Sequence, residues 1–210
     1  MTGVLDSTTV AHNVTWDTYL EDYGSHFYEW VNGTVYRLAP VHEEHREIRR
    51  YLQLLLEAYL EVKPIGSVRH SPFNMRISER KIARKPDIML VLGANASNLT
   101  ARFMDGPADI CIEVVSPESV ARDHGEKFAE YEAFGVREYW IIDPLRNESR
   151  FYRADRTGRF QPRPVNVDGD YLTPNLPGLV IPVHMLWMDE PLPGPLAIVK
   201  SVHKMMREQR

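Results

Sequence analysis

The chain has 210 residues, 43% of them hydrophobic and 26% charged, and a formal net charge of −4. That length suits one domain with a substantial core, and the acid excess means that a nucleic-acid partner would need a local basic patch. A single cysteine excludes an internal disulfide and a cysteine-rich zinc site; with no apolar run near the ~20 residues of a membrane span and no signal-peptide pattern at the start, a cytoplasmic protein with no membrane partner is expected.

In chain order, residues 1–14 are expected to be loosely ordered, and "TWDTYLEDY" reads as a short helix with Thr15 as its N-cap. "HFYEWVNGTVYRLAP" predicts a hairpin turning at Asn32-Gly33, the pair that tight turns favour. From about Val41 to Val62 the period changes, with Ile48, Leu52, Leu55, Leu56 and Tyr59 spaced as one helix face. "SVRHSPFNMRIS" reads as one strand, "IARKPDIMLV" as the next, and residues 93–107 as a loop or irregular helix. "ADICIEVV" is apolar almost throughout, as in a strand buried on both faces, and Cys111 within it reads as an inert buried thiol. Ser116-Pro117-Glu118 supplies an N-cap, a first-turn proline and an early acid for a helix that runs to about Phe134 and closes at Gly135. "REYWIIDP" is a further buried strand, and "SRFYRA" its hairpin partner. Proline-rich edge strands and loops follow, and residues 189–210 form a C-terminal extension ending in an exposed or partner-docked helix. This order predicts an α/β (α+β) fold over residues 15–188, with a mixed central sheet, flanking helices, an N-terminal hairpin and added C-terminal β structure. The helix over 117–134 would be a right-handed crossover between parallel strands.

Two acids stand out. Asp87 follows Pro86 at the head of the apolar run "IMLV", and Glu113 lies inside "ICIEVV". A buried carboxylate must be paired, hydrogen-bonded or bound to a cation. If the strands neighbour each other, both carboxylates can converge on one Mg²⁺, which one or two carboxylates, waters and phosphate oxygens typically hold. Pairing with an arginine, or capping of a turn, is the structural alternative.

At these residues the chain resembles a known family. "KPDIMLV", "ADICIEVVSPES" and "DHGEKFAEYEAFGVREYWIIDP" resemble the Uma-type restriction endonuclease family, a branch of the PD-(D/E)xK nuclease superfamily. "YEWVNGTVYRLAPVHEEH" and "LPGLVIPVHMLW" resemble that family's beginning and end, so the likeness covers roughly residues 15 to 188. It implies a restriction-endonuclease-like fold, hydrolysis of phosphodiester bonds in DNA, and Mg²⁺ (Mn²⁺ as substitute) held by Asp87 and Glu113. The superfamily's lysine two residues after the second acid is Val115 here. The resemblance implies that Lys127, on the following helix, takes its place, since a long mobile ammonium can be recruited from a neighbouring element. A helix-stabilising pair with Asp123 is the plainer reading of that lysine.

His45 in "HEEHREI" stands where the family often has histidine, and is carried as an assisting catalytic residue, with Glu44 as a substitute ligand; His42, Glu43 and Glu47 read as solvated. Tyr131, one turn beyond Lys127, either steadies the ammonium or packs in the core, and Asp143 reads as a turn former. Arg46, Arg49, Arg50, Arg69, Arg76 and above all "SERKIARK" are the basic residues available to a phosphate backbone. The expected function is thus a metal-dependent endodeoxyribonuclease, with a homodimer suggested by analogy. A catalytically degenerate module binding nucleic acid or protein, and a small phosphate-ester hydrolase, are the alternatives.

Overall fold

The computed structural model describes residues 9–40, 42–188 and 190–208. Strand β1 (Thr9–Ala11) leads into helix α1 (Trp16–Asp22), whose N-cap Thr15 accepts from the Thr18 N–H. Strands β2 (Tyr28–Val31) and β3 (Thr34–Arg37) form the hairpin, with Asn32 and Gly33 at φ 49° and 80° in its turn. A glycine adopts that left-handed backbone without steric cost. Part of the segment expected to be loose is ordered: β1 pairs with β3, because the hairpin edge offers it unpaired backbone groups. Residues 1–8 lie outside the described residues.

Helix α2 (Glu43–Val62) precedes β4 (Gly66–His70), β5 (Asn74–Ile77), β6 (Ile82–Arg84) and β7 (Ile88–Leu92). Each of the two segments read as single strands is therefore two strands. Pro72 and Pro86 lack the N–H that a continuous ladder would use, and at each the chain passes between two sheets. Strand β8 (Phe103–Asp105), β9 (Ile110–Val114), α3 (Lys127–Phe134), β10 (Glu138–Asp143), β11 (Glu148–Ala154), β12 (Phe160–Arg163), β13 (Asp170–Leu172), β14 (Val180–Pro182) and α4 (Pro195–Glu208) complete the chain. The first sheet has the order β1-β3-β2-β6-β5-β8 and the second β12-β11-β10-β9-β7-β4, while β13 and β14 pair alone. In the second sheet β9 and β10 run parallel, and β7 runs antiparallel to β9.

The second sheet is covered on both faces, which explains the unbroken apolar runs of β7, β9 and β10. One face packs Ile88, Leu90, Ile110, Ile112 and Trp140 against the Ile48, Leu52, Leu55 and Leu56 stripe of α2. Burying each such side chain contributes about 1.5–3 kcal/mol. The other face packs Met89, Val91, Cys111, Val115 and Ile141 against Tyr131 of α3. Helix α4 buries Ile198 and Val202 in the α2 cluster, so its partner includes the domain itself. The Ser116 N-cap is corrected: residues 117–119 form a turn, and helical backbone begins at Val120. Residues Arg122–Glu126 make a π turn before α3, and Gly135 closes α3 at φ 87°.

Candidate functional site

Asp87 sits one step before β7, where the chain has just crossed from the first sheet. Ile88 pairs with Ile112, so continuing that register sets Asp87 opposite Glu113. Both are on the α3 side of the sheet by strand alternation, in phase with Met89 and Cys111. Asp87 Oδ2 accepts from His45 Nε2 at 3.0 Å and from the Val114 N–H at 2.9 Å. Burial opposes its ionisation, but the His45 bond and charge, the Lys127 charge and the Val114 N–H hold its carboxyl below the usual range. An ionised carboxylate only accepts, so His45 carries its proton on Nε2.

Glu113 differs. Its Oε1 accepts from Tyr131 Oη at 2.7 Å and lies 2.9 Å from Lys127 Nζ. Burial pushes its pKa up to about 8, and the Asp123 and Asp87 carboxylates add to the rise against the opposing Lys127 charge. Lys127 is 3% exposed, with Nζ 3.1 Å from Asp123 Oδ1 and 4.0 Å from Glu29 Oε1. The Asp123 contact is an ion pair outside hydrogen-bond geometry, since Oδ1 is otherwise unpartnered among the described residues. Burial disfavours the ammonium, yet Asp123, Glu113 and Glu29 outweigh it and keep the lysine pKa above its ordinary value. Val115 is fully buried against α3, so a lysine there would have to enter the apolar core.

A second ring ties the first sheet to this centre. Arg84 is buried between Glu29 (2.8 Å), Glu130 (2.8 Å) and Glu126. Glu29 Oε1 accepts from the Lys85 N–H at 3.2 Å, and Arg84 with Lys127 lowers its pKa to about 2 despite burial. Lys85 Nζ donates to the Gly24 carbonyl at 2.8 Å and to that of His26. Half of the basic cluster "SERKIARK" is thus withdrawn from the surface: Arg84 and Lys85 are spent inside the fold while Arg80 and Lys81 are exposed, and Arg76, from the preceding strand, lies 4.7 Å over the Trp16 ring.

Asp87, Glu113, Lys127 and His45 line one cavity of about 410 Å³, together with Asp123, Arg122, Arg49, Arg46 and Lys85. The same cavity reaches Phe27, Leu38, Ala39 and Pro40 at the open end of the hairpin. Three buried nitrogens at it, His45 Nδ1, Arg49 Nε and Arg122 Nε, have no hydrogen-bond partner among the described residues. Glu44 is exposed and takes no part in the lining. Tyr131 serves the Glu113 carboxylate rather than the ammonium, and Asp143 is engaged by His124 at 3.0 Å and Arg146 at 2.5 Å, with the Arg146 N–H closing its turn. Sequence reasoning missed Arg122, Glu29 and the burial of Asp123. The Asp123–Lys127 spacing was the one available signal.

Among the described residues, no group of three or more His, Cys, Asp and Glu side chains is arranged as a metal cage. The two facing acids nonetheless suit a magnesium-type ion, which one or two carboxylates suffice to hold. The hydrogen bonds described for Asp87 fall on Oδ2, and the Tyr131 and Lys127 contacts of Glu113 fall on Oε1, so each carboxylate has a second oxygen to offer.

The profile of the family described as "Uma2: Putative restriction endonuclease" matches residues 16–184. The crystal structure of a "putative nuclease belonging to DUF820" from Anabaena variabilis superposes with a TM-score of 0.68 at 15% identity, over 83% of this chain and 97% of that one. It shares the fold. Two curated relatives, both 4-hydroxy-3-methylbut-2-enyl diphosphate reductases, match in part. That of Nautilia profundicola is 24% identical over 115 residues, 51% of this chain and 42% of the relative. That of Sulfurimonas denitrificans is 29% identical over 80 residues, 37% of this chain and 29% of the relative. The chain spans less than half the length of either, and the site residues follow from the geometry above rather than from them.

Proposed function

Because the chain belongs to the Uma2 family of restriction-endonuclease-like proteins, we propose that it is a metal-dependent endodeoxyribonuclease working at the cavity between α2 and α3. The observation that carries this reading is the buried Lys127 ammonium 2.9 Å from Glu113, beside the register neighbours Asp87 and Glu113. Asp87, Glu113 and Asp123 crowd the one ammonium, and burial, with the Asp123 and Asp87 charges adding to it, raises the Glu113 pKa despite that ammonium, leaving an excess of acid. A divalent cation would relieve that excess.

Asp87 and Glu113 would hold Mg²⁺ or Mn²⁺, which when bound polarises a phosphoryl oxygen and lowers the pKa of water. Lys127 is held charged, so it acts as a donor: it orients the attacking water and neutralises charge growing on the phosphate. His45 fixes the orientation of Asp87 through Nε2, and Tyr131 does the same for Glu113. Both are positioning residues.

The test is incubation of plasmid, single-stranded DNA, RNA and nucleotides with Mg²⁺ or Mn²⁺. DNA cleavage abolished by chelation, by Asp87→Asn and by Lys127→Ala is the expected result. Hydrolysis confined to nucleotides would favour the small phosphate-ester reading. Binding with no cleavage of any substrate would favour the degenerate module, for which Val115 at the strand-lysine position is the supporting observation.

A further inference from the structure

The cavity has two unlike ends. Its floor carries Asp87, Glu113 and Lys127, of which Glu113 is 2% exposed. Its rim carries Phe27, 55% exposed, beside Leu38, Ala39 and Pro40. Phe27 and Leu38 sit at the open end of the hairpin, where the Leu38 N–H donates to the Phe27 carbonyl at 2.9 Å. The segment before Phe27 is pinned from beneath, because the buried Lys85 ammonium takes the Gly24 and His26 carbonyls. An exposed aromatic on a fixed backbone, at the mouth of a charged cavity, is placed to receive a flat ring. Arg49 and Arg122 line the same cavity with Nε donors that have no hydrogen-bond partner among the described residues, and guanidinium donors suit phosphate oxygens.

Resting on the nuclease reading, we infer that the substrate enters as an unpaired nucleotide of a single-stranded segment, its base stacked on Phe27 and its phosphate met by Arg49 and Arg122. A base inside a duplex has both faces covered by its neighbours, so it offers Phe27 nothing until it is extruded, and extrusion costs free energy. An unpaired base offers its π face directly, and stacking of this kind is tolerant of sequence. The buried acids give the same preference, since a strand free to turn can bring its phosphate down to the cavity floor.

The experiment uses the full chain and fluorescein-labelled oligonucleotides, thymidine 20-mers against blunt duplexes of equal length. Binding is read by anisotropy in Ca²⁺ and cutting in Mg²⁺. Single strands should bind more tightly than duplexes. Phe27→Ala should weaken single-strand binding by about tenfold to a hundredfold, with Phe27→Trp retaining it and Phe27→Leu losing it. Thermal melting of each variant confirms folding, which the exposure of Phe27 should spare. Equal binding of both forms, or an affinity indifferent to Phe27→Ala, would overturn the inference. Cleavage of duplex alone would leave the nuclease reading standing and remove this one. Phe27-dependent single-strand binding with no cutting in any metal would do the reverse.

Discussion

Two buried glutamates on neighbouring parallel strands have opposite fates. Glu138 of β10 is completely buried on the α2 side of the second sheet, and its two oxygens accept from Tyr171, Trp140, Thr173, Asn175 and Arg153. Glu113 of β9 lies on the other side, where its one bonded oxygen meets Tyr131 and Lys127 while Asp123 and Asp87 crowd it. Burial is almost equal; the supply of donors is not. A carboxylate surrounded by neutral donors and one arginine is a fixed strut between the sheet and the β13–β14 region. A carboxylate short of positive charge is instead a place where a cation or a proton has something to do.

The comparison predicts that Glu138→Ala has the largest effect, on stability alone. It strands Arg153 and several buried donors, so unfolding in urea should show a loss of about 3–5 kcal/mol. Divalent-ion binding, measured by calorimetry on the folded variant, should be unchanged. A mild loss would mean that the Glu138 network is no strut. Asp87→Asn should do the converse, lowering any metal-dependent cleavage rate by at least ~10²-fold with a fall in melting temperature much smaller than that of Glu138→Ala, because only the part of its stability that its depressed pKa reflects is lost. A matching fall would put Asp87 with Glu138 as a structural acid.

Protons sharpen the contrast further. A metal at Glu113 must displace the proton that a pKa of about 8 retains. Apparent Mg²⁺ or Mn²⁺ affinity should therefore rise about tenfold per pH unit from pH 6 and level off above pH 8. Calorimetry in buffers of different ionisation enthalpy would show proton release, and a flat profile would count against Glu113 as a ligand. The last test concerns Glu113→Gln without metal. The folded pKa is raised, so between about pH 4.5 and 8 the folded state binds more protons than the unfolded chain, and stability contributed by this group falls as pH rises through that window. Glutamine imitates the protonated form and escapes the loss. The variant should match wild type near pH 4.5 and melt higher near pH 8, the gap widening through that window; equal melting at pH 8 would count against the raised pKa.

The hairpin was legible because Asn32-Gly33 is a local signal, and β9 and β10 because their apolar runs are continuous. The crossings between sheets were not. "IARKPDIMLV" has the composition of one strand, and nothing local says that Ala83 pairs with Trp30 while Ile88 pairs with Ile112. Asp87 and Glu113 drew attention as acids in apolar surroundings, and they do line one cavity with Lys127 and His45. Glu29 escaped for a physical reason: strand alternation in "YEWV" sets it opposite to Trp30, as though facing water, but α3 and Arg84 cover that face from far along the chain. Glu138 shows the limit of the argument from misplaced acids. It is as out of place in "REYWIID" as Glu113 is in "ICIEVV", and only its five donors, brought from β10, β11 and the segment after β12, tell the two apart.

The π turn at Arg122–Glu126, where the Lys127 N–H reaches the Arg122 carbonyl, sets the angular phase of α3 against the sheet. Each residue of a helix turns the next by about 100°. Deleting Gly125, which is exposed and whose missing Cβ would touch nothing, alters no side chain of the site. Yet closing the wide turn into an ordinary one would have to rotate either Asp123 or Lys127 away from Glu113, or drag the whole helix along its axis. The site is thus vulnerable to a change in chain length at a position where a change in chemistry would pass unnoticed. Insertions and deletions in this one turn, more than substitutions, are the genetic events by which a protein of this fold would lose or relocate its ammonium.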